Sequence, residues 1–169
     1  PDEVKKLSTD DHGKSTDADL LSACTIAVDG YRDAVVRACA SAETLGAARG
    51  DRAVLGAAVR SDTKDLAADD DHDVTAQVDI TVTALTLDAD GRVTSALADM
   101  AEPALTVGAD GTVSAPEMVK TKRELGDSYG MRGASSLNKE WYEHSEGWCG
   151  YLKGKTRAEV AGIPSDGTD

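Results

Sequence analysis

Two stretches of the chain share one pattern, and this pattern is the strongest constraint on the fold: LTLDADGRVTS at 85–95 and LTVGADGTVSA at 105–115. In each, short apolar runs flank x-Ala-Asp-Gly, a sequence typical of a hairpin turn. Residues 78–84 alternate apolar and polar side chains, as a strand with one buried face does. The pattern predicts two successive hairpins, and hence a four-stranded antiparallel sheet or meander.

Residues before the hairpins carry weaker signals. LLSACTIAV is rich in β-branched residues and predicts an N-terminal strand at 22–28. Apolar residues then recur at three- and four-residue intervals, which predicts a helix near 30–43 with Cys39 on its packed stripe. A short strand is expected near 53–60.

Residues after the hairpins predict a second main helix at 139–152. Asn138 is a suitable N-cap for it, and Thr156 is suited to cap a last helical turn. The apolar stripe of the second helix is expected to comprise Trp141, Ser145, Trp148 and Leu152.

Together these elements predict an α+β fold class: an antiparallel sheet of two successive hairpins plus an N-terminal strand, packed by two main helices. Residues 1–19 are interpreted as a polar linker or tail, 20–163 as a single α+β domain, and 164–169 as linker. EVAGIPSDGTD at one end resembles EVKKLSTDDHGKSTD near the other. This similarity suggests one unit of a tandem array.

Charge limits the partners that the chain can have. The net charge is −13, and residues 119–169 contain eight basic and eight acidic residues, so all the excess acid lies in 1–118. An acidic chain repels phosphate backbones and anionic lipid head groups, so we expect no nucleic-acid partner. No run of 18 apolar residues exists, so no membrane insertion by this segment is expected.

The sequence contains no assembled catalytic or metal site. Walker and G-x-G-x-x-G motifs are absent, and no set of residues assembles a nucleophile, a base and an oxyanion hole, so no catalytic residue is assigned and the sequence leans against an enzyme. The acidic run 69–73 lacks the alternating ligands of an EF-hand and is interpreted as a solvated loop. The chain has three cysteines without C-x-x-C spacing, namely Cys24, Cys39 and Cys149. They leave open either one disulfide or thiols buried in the core.

TKRELGDSYGMRGASSLNKEWYE, residues 121–143, is the most distinctive segment chemically. Five of the six aromatic residues lie between 129 and 151, directly after a basic cluster. Aromatic faces stack on planar ligands, and cations with helix N-terminal amides hold phosphate. The candidate ligand-binding residues are Lys122, Arg123, Tyr129, Trp141 and Tyr142. The competing interpretation is that Trp141 and Trp148 only pack the last helix on the sheet, and both interpretations can hold together.

This segment resembles a known family. With KEWYEHSEGWCGYLKGKTRAEVAGI, TDADLLSACTIAVDGYRDAV and AQVDITVTALTLDADGRV, it is similar to a mostly uncharacterised domain, often in tandem, of secreted or lipid-anchored surface proteins (lipoproteins) of Gram-positive bacteria. That domain is distantly similar to the FMN-binding domain family. The resemblance implies an extracellular or cell-envelope-attached location, with FMN as the cofactor.

The resemblance also implies one further site residue. Extracellular FMN-binding domains carry flavin on the Thr of Ser-Gly-Ala-Thr, and the corresponding place here is Arg132-Gly133-Ala134-Ser135. Ser135 is therefore a candidate cofactor-binding residue, and the change favours non-covalent over covalent FMN. In the relatives a Gln stands where this chain has His144.

The resulting hypothesis is a non-catalytic extracellular module of a bacterial surface protein that binds FMN or another small planar ligand. Its partner is an unknown small ligand or a surface protein. Two alternatives stay open: a purely structural spacer or adhesion repeat, and a flavin-dependent extracellular electron-transfer domain. The spacer predicts no pocket and two fully buried tryptophans.

Overall fold

The computed structural model describes residues 6–64, 72–116 and 119–165. Their contacts divide the chain into two compact units, one up to Thr44 and one from Leu45 onward. The predicted boundaries, by contrast, set one domain at 20–163. Of the predicted acidic loop at 69–73, residues 69–71 lie outside the part described.

The N-terminal unit is helical where a strand was predicted. Helix α1 spans Ala18–Ala23, and it begins there because the Asp17 carboxylate accepts a hydrogen bond from the Leu20 N–H at 3.0 Å. The prediction of a strand at 22–28 is therefore wrong. β-branched residues favour a strand only where a neighbouring strand pairs with them, and here Ala27 forms just an isolated bridge with Lys14.

Helix α2 spans Asp29–Ala40, close to the predicted 30–43, and belongs to this N-terminal unit. None of its residues is buried, and Tyr31 and Val35, which precede Cys39 on the predicted stripe at four-residue intervals, are 66% and 45% exposed. Cys39 is exposed as well, so its predicted packing role is wrong.

An open antiparallel sheet of five strands dominates the second unit, which confirms the α+β fold class. The strands are β1 (Arg52–Lys64), β2 (Val74–Leu87), β3 (Val93–Ala101), β4 (Ala104–Val107) and β5 (Val113–Ser114). β1 is thirteen residues long, extending beyond the predicted 53–60, and pairs with β2 along its whole length. β3 and β4 follow one another along the opposite edge of β2, and β5 pairs with β4.

Both x-Ala-Asp-Gly sequences form the predicted hairpin turns. In the first, the Asp88 carboxylate accepts hydrogen bonds from the N–H groups of Asp90 and Arg92 at 2.9 and 2.8 Å. Gly91 and Gly111 occupy the same place in the two turns, with φ of 75° and 80°. This left-handed backbone favours glycine.

Helices α3 (Lys122–Leu125), α4 (Trp141–Leu152) and α5 (Arg157–Ala161) complete the second unit. Thr156 caps α5 as predicted. Asn138 does not cap α4, because Glu140 does so in a reciprocal pair with Glu143. Asn138 instead has a left-handed backbone with φ of 53°.

Small side chains form the core between α4 and β3. The buried cluster comprises Val93, Ala96, Ala98, Cys149 and Leu152. On α4 the buried positions are Ser145, Cys149 and Leu152, whereas Trp148 is 42% exposed, so the predicted stripe is wrong at that position. The reason is steric, since small residues on both surfaces let the helix lie close to an alanine-rich strand.

The strand register determines which side chains share the face of the sheet that α4 covers. Ala98 lies opposite Thr83, and Thr83 lies opposite Gly56. Because side chains alternate along a strand, the polar Asp79 and Thr81 of β2 point to the same side as α4. The alternating row of β2 that predicted a strand therefore lies on the other face. This row comprises Val78, Ile80, Val82 and Ala84.

Candidate ligand-binding site

Helix α3 positions the two cations that the sequence singled out. Thr121 caps the helix: its hydroxyl accepts a hydrogen bond from the Glu124 N–H at 3.2 Å, and the Glu124 carboxylate accepts from the Thr121 N–H at 2.9 Å. This reciprocal arrangement, a capping box, fixes the first turn. Lys122 and Arg123 thereby begin a helix that contacts β3 and α4.

Lys122 is the centre of the candidate site. Its side chain is 9% exposed, and its Nζ lies 2.6 Å from Oε1 of Glu102, at the break between β3 and β4. The same Nζ lies 4.8 Å from the ring centre of Tyr129 and 5.6 Å from that of Trp141, within the range of a cation–π contact. Three of the predicted residues therefore meet at one point.

The surroundings of Lys122 favour its charged form. Burial lowers the pKa of the amine, but hydrogen bonding to Glu102 and Tyr129 and their charges outweigh it, so the pKa is raised above 10.5. A buried ammonium held in this way is a fixed positive charge at neutral pH.

Lys122 also lines a groove of about 470 Å³ on the face of the sheet that carries α4. This volume lies within the range of small-molecule sites, roughly 300–1,000 Å³. The groove has a balanced set of charges, with two cations and two carboxylates. Its lining comprises Ala58, Val59, Arg60, Asp79, Thr81, Met100, Glu102 and Lys122.

The loop that precedes α4 is held by a buried carboxylate. Glu140 is 3% exposed and accepts hydrogen bonds from the N–H groups of Met131 and Arg132 at 2.9 and 3.0 Å. The Arg132 guanidinium contacts Glu143 at 2.8 Å and Asp127 at 3.3 Å. Glu143 also accepts from the Glu140 N–H, and this bond, followed by the charge of Arg132, lowers its pKa.

Tyr142 belongs to this loop network and not to the Lys122 cluster. Its hydroxyl donates to Asp127 at 3.2 Å. Burial, and then the negative charge of Asp127, raises the pKa of the phenol. The sequence did not separate these two environments, because Trp141 and Tyr142 are neighbours whose side chains leave the helix in different directions.

Ser135 and Arg123 also have protein partners. The Ser135 hydroxyl lies 2.9 Å from Nε2 of His144 and accepts from the Leu137 N–H at 3.2 Å. The Arg123 side chain contacts Glu146 at 3.4 Å, and its backbone N–H donates to Asp99 at 3.2 Å. Neither residue lines the groove.

Apart from Lys122, sequence reasoning missed the groove residues, most of which come from three strands. Arg60, Asp79, Thr81 and Met100 carry no motif, and only the register brings them together. The one available signal was Glu102 before Pro103, a charged residue beside a strand-breaking proline.

No three potential metal ligands cluster in the described ranges 6–64, 72–116 and 119–165. Within the same ranges, no helix is long and apolar enough to cross a bilayer.

Comparison with known proteins gives one partial match. No family model and no solved structure matches the chain. Chlorophenol reductase of Desulfitobacterium hafniense is 49% identical over 41 residues, which is 24% of this chain. The matched part spans only 12% of that protein's length.

Proposed function

We propose that this chain is a non-catalytic module that binds a small planar ligand, with FMN as the leading candidate, in the groove lined by Lys122. The observation that carries the proposal is that a residue singled out from the sequence lines a groove of suitable volume. Lys122 joins this groove to the rings of Tyr129 and Trp141.

The two parts of FMN fit the groove differently. A flavin ring system presents hydrogen-bond donors and acceptors along its edges, and the lining offers Thr81, Asp79 and the Lys122–Glu102 pair. The phosphate requires a cation, and Lys122 already contacts Glu102. Arg60 is the other cation in the lining, so it is the residue that would hold the phosphate.

Non-covalent binding is the form that the arrangement supports. Ser135, which by the resemblance stands where extracellular FMN-binding domains attach flavin, is hydrogen-bonded to His144 and lies outside the groove. A location at the cell envelope of a Gram-positive bacterium, in a tandem array, is part of the proposal and rests on the resemblance alone.

Titration of FMN against the protein, followed by flavin and tryptophan fluorescence, tests the proposal. Thr81→Tyr should fill the groove floor and abolish binding, whereas Ser135→Ala should bind FMN as the wild type does. Arg60→Ala should weaken FMN more than riboflavin, because only FMN carries the phosphate. If no signal changes at high micromolar FMN, the flavin proposal fails. If Ser135→Ala alone loses binding, the site is in the loop and not in the groove.

A flavin-dependent electron-transfer domain is the second candidate, and the partial match to a protein named chlorophenol reductase favours keeping it. It requires flavin that remains bound during purification and that chemical reductants reduce reversibly. A protein that binds added FMN but is colourless as isolated would favour the binding module. The spacer alternative predicted fully buried tryptophans, whereas Trp148 is 42% exposed.

A further inference from the structure

Strand β1 has an outer edge that no other described strand pairs with, since the sheet order begins at β1 and only β2 lies beside it. The strand is thirteen residues long and its register with β2 runs without a shift from Arg52 to Lys64. At about 3.3 Å per residue it presents roughly 40 Å of unpaired backbone N–H and C=O groups. Most strands are only about 5–6 residues long.

The central part of this edge, residues 53–59, carries none of the devices that normally protect one. Proteins shield long edges with proline, lysine, bulges or short strands. The stretch RAVLGAAVRS, residues 52–61, contains no proline and no lysine. Two large apolar side chains in it, Leu55 and Val59, are 72% and 69% exposed. An edge with these properties is suited to pairing with another strand.

We infer that β1 pairs with β1 of a second copy of this chain, antiparallel about a twofold axis through Ala57. In this register Leu55 lies opposite Val59 of the partner subunit, so the exposed apolar side chains cover one another. Moving the axis by one residue to Gly56 would set Arg52 opposite Arg60 of the partner subunit. Like charges directly opposite are destabilising, so the charges favour the axis at Ala57 over that at Gly56.

The sheet adds apolar surface around this contact. Leu55 pairs with Ala84 and Val59 with Ile80, so these side chains share the face of β2 that is opposite α4. The partner strand would continue this apolar row across the twofold axis. In this arrangement the outer edge of β1 in each copy pairs with that of the other copy, so the assembly is a finite symmetric dimer.

The net charge makes the inference sensitive to salt. Two chains of −13 repel each other, whereas pairing through backbone groups and apolar side chains does not depend on charge. Added salt screens the repulsion. Dimerisation should therefore strengthen as ionic strength rises.

Analytical ultracentrifugation of the full chain, from low to high micromolar concentration and at low and high salt, tests the inference. The wild type should sediment as a monomer–dimer equilibrium that shifts toward the dimer in high salt. Val59→Lys should lose the dimer at every concentration, and Leu55→Lys provides a second variant if the first fails to fold. Leu137→Lys introduces the same charge at another exposed leucine, 65% exposed, and should dimerise as the wild type does.

Hydrogen exchange identifies the surface involved. Amides of β1 should exchange more slowly in the wild-type dimer than in the Val59→Lys monomer. A wild type that stays monomeric at all concentrations and salts would overturn the inference. So would a Val59→Lys dimer of wild-type strength, or growth beyond the dimer into open assemblies.

Discussion

Replacing Lys122 by Met removes the charge at the centre of the candidate site and keeps most of the apolar stem. Glu102 would lose its partner at 2.6 Å while only 27% exposed. Removing one member of a fully buried pair costs about 3–5 kcal/mol, and the exposure of Glu102 lowers that figure. The two lost cation–π contacts add about 0.5–1 kcal/mol each. We expect a total loss of about 2–4 kcal/mol in the free energy of unfolding.

Urea unfolding followed by tryptophan fluorescence measures this loss in the right part of the chain. Trp141 and Trp148 are the only two tryptophans, and both lie in the second unit. With a slope of about 1–3 kcal/mol per molar urea, the midpoint should fall by roughly 1 M or more. Lys120→Met, at an exposed lysine two residues away, should stay within about 0.5 kcal/mol of the wild type.

A double-mutant cycle separates the ion pair from other effects of the change. Lys122→Met in a Glu102→Ala background should cost less than in the wild type, because the carboxylate that would be left unpaired is already absent. A cost below about 1 kcal/mol for Lys122→Met, or equal costs in the two backgrounds, would refute the reasoning.

Two further predictions concern packing and pH. Leu152→Ala, at a residue 3% exposed, should lower the free energy of unfolding by about 2–5 kcal/mol. Trp148→Ala should lower it by less, and thermal unfolding followed by circular dichroism measures both variants. An equal or larger cost for Trp148 would contradict the observed orientation of α4. The pKa of Glu143 is lowered from 4.5, so its contribution to stability is present above that pH and is lost as the pH falls below it. The unfolding temperature should therefore drop between about pH 5 and pH 3, and Glu143→Gln should reduce that drop; an unchanged slope would count against this role.

Local chemistry explains which parts of the fold the sequence predicted. The two hairpins follow from turn residues whose side chains bond their own backbone, as at Asp88, and Thr156 caps α5 in the same local way. The prediction of a strand at 22–28 was wrong because β-branched residues specify a strand only when a partner strand is present. Asp17 meanwhile supplied a cap and hence a helix.

Long-range packing explains what the sequence could not predict. Trp148 was placed on the buried stripe because it recurs at helical spacing with Ser145 and Leu152, but the alanine-rich strand facing α4 packs against Cys149 instead of Trp148. Size complementarity between two segments distant in sequence therefore decides which side chains of α4 are buried. Neither segment reveals this complementarity on its own.

The same distinction applies to the candidate site. Three of the residues that the composition of 121–143 singled out lie together in the structure, namely Lys122, Tyr129 and Trp141. That composition suggested cations available for phosphate, whereas Lys122 contacts Glu102, twenty residues earlier in the chain.

The balance of charge in this region follows from that pairing. Residues 119–169 sum to zero, and Lys122, Arg123 and Arg132 each contact a carboxylate. An anion would have to compete with these carboxylates, at the cost of leaving them partly buried and unpaired. A ligand that keeps the Lys122–Glu102 pair intact avoids this cost. The groove should therefore favour a neutral planar group beside Lys122, with any anionic group directed toward Arg60.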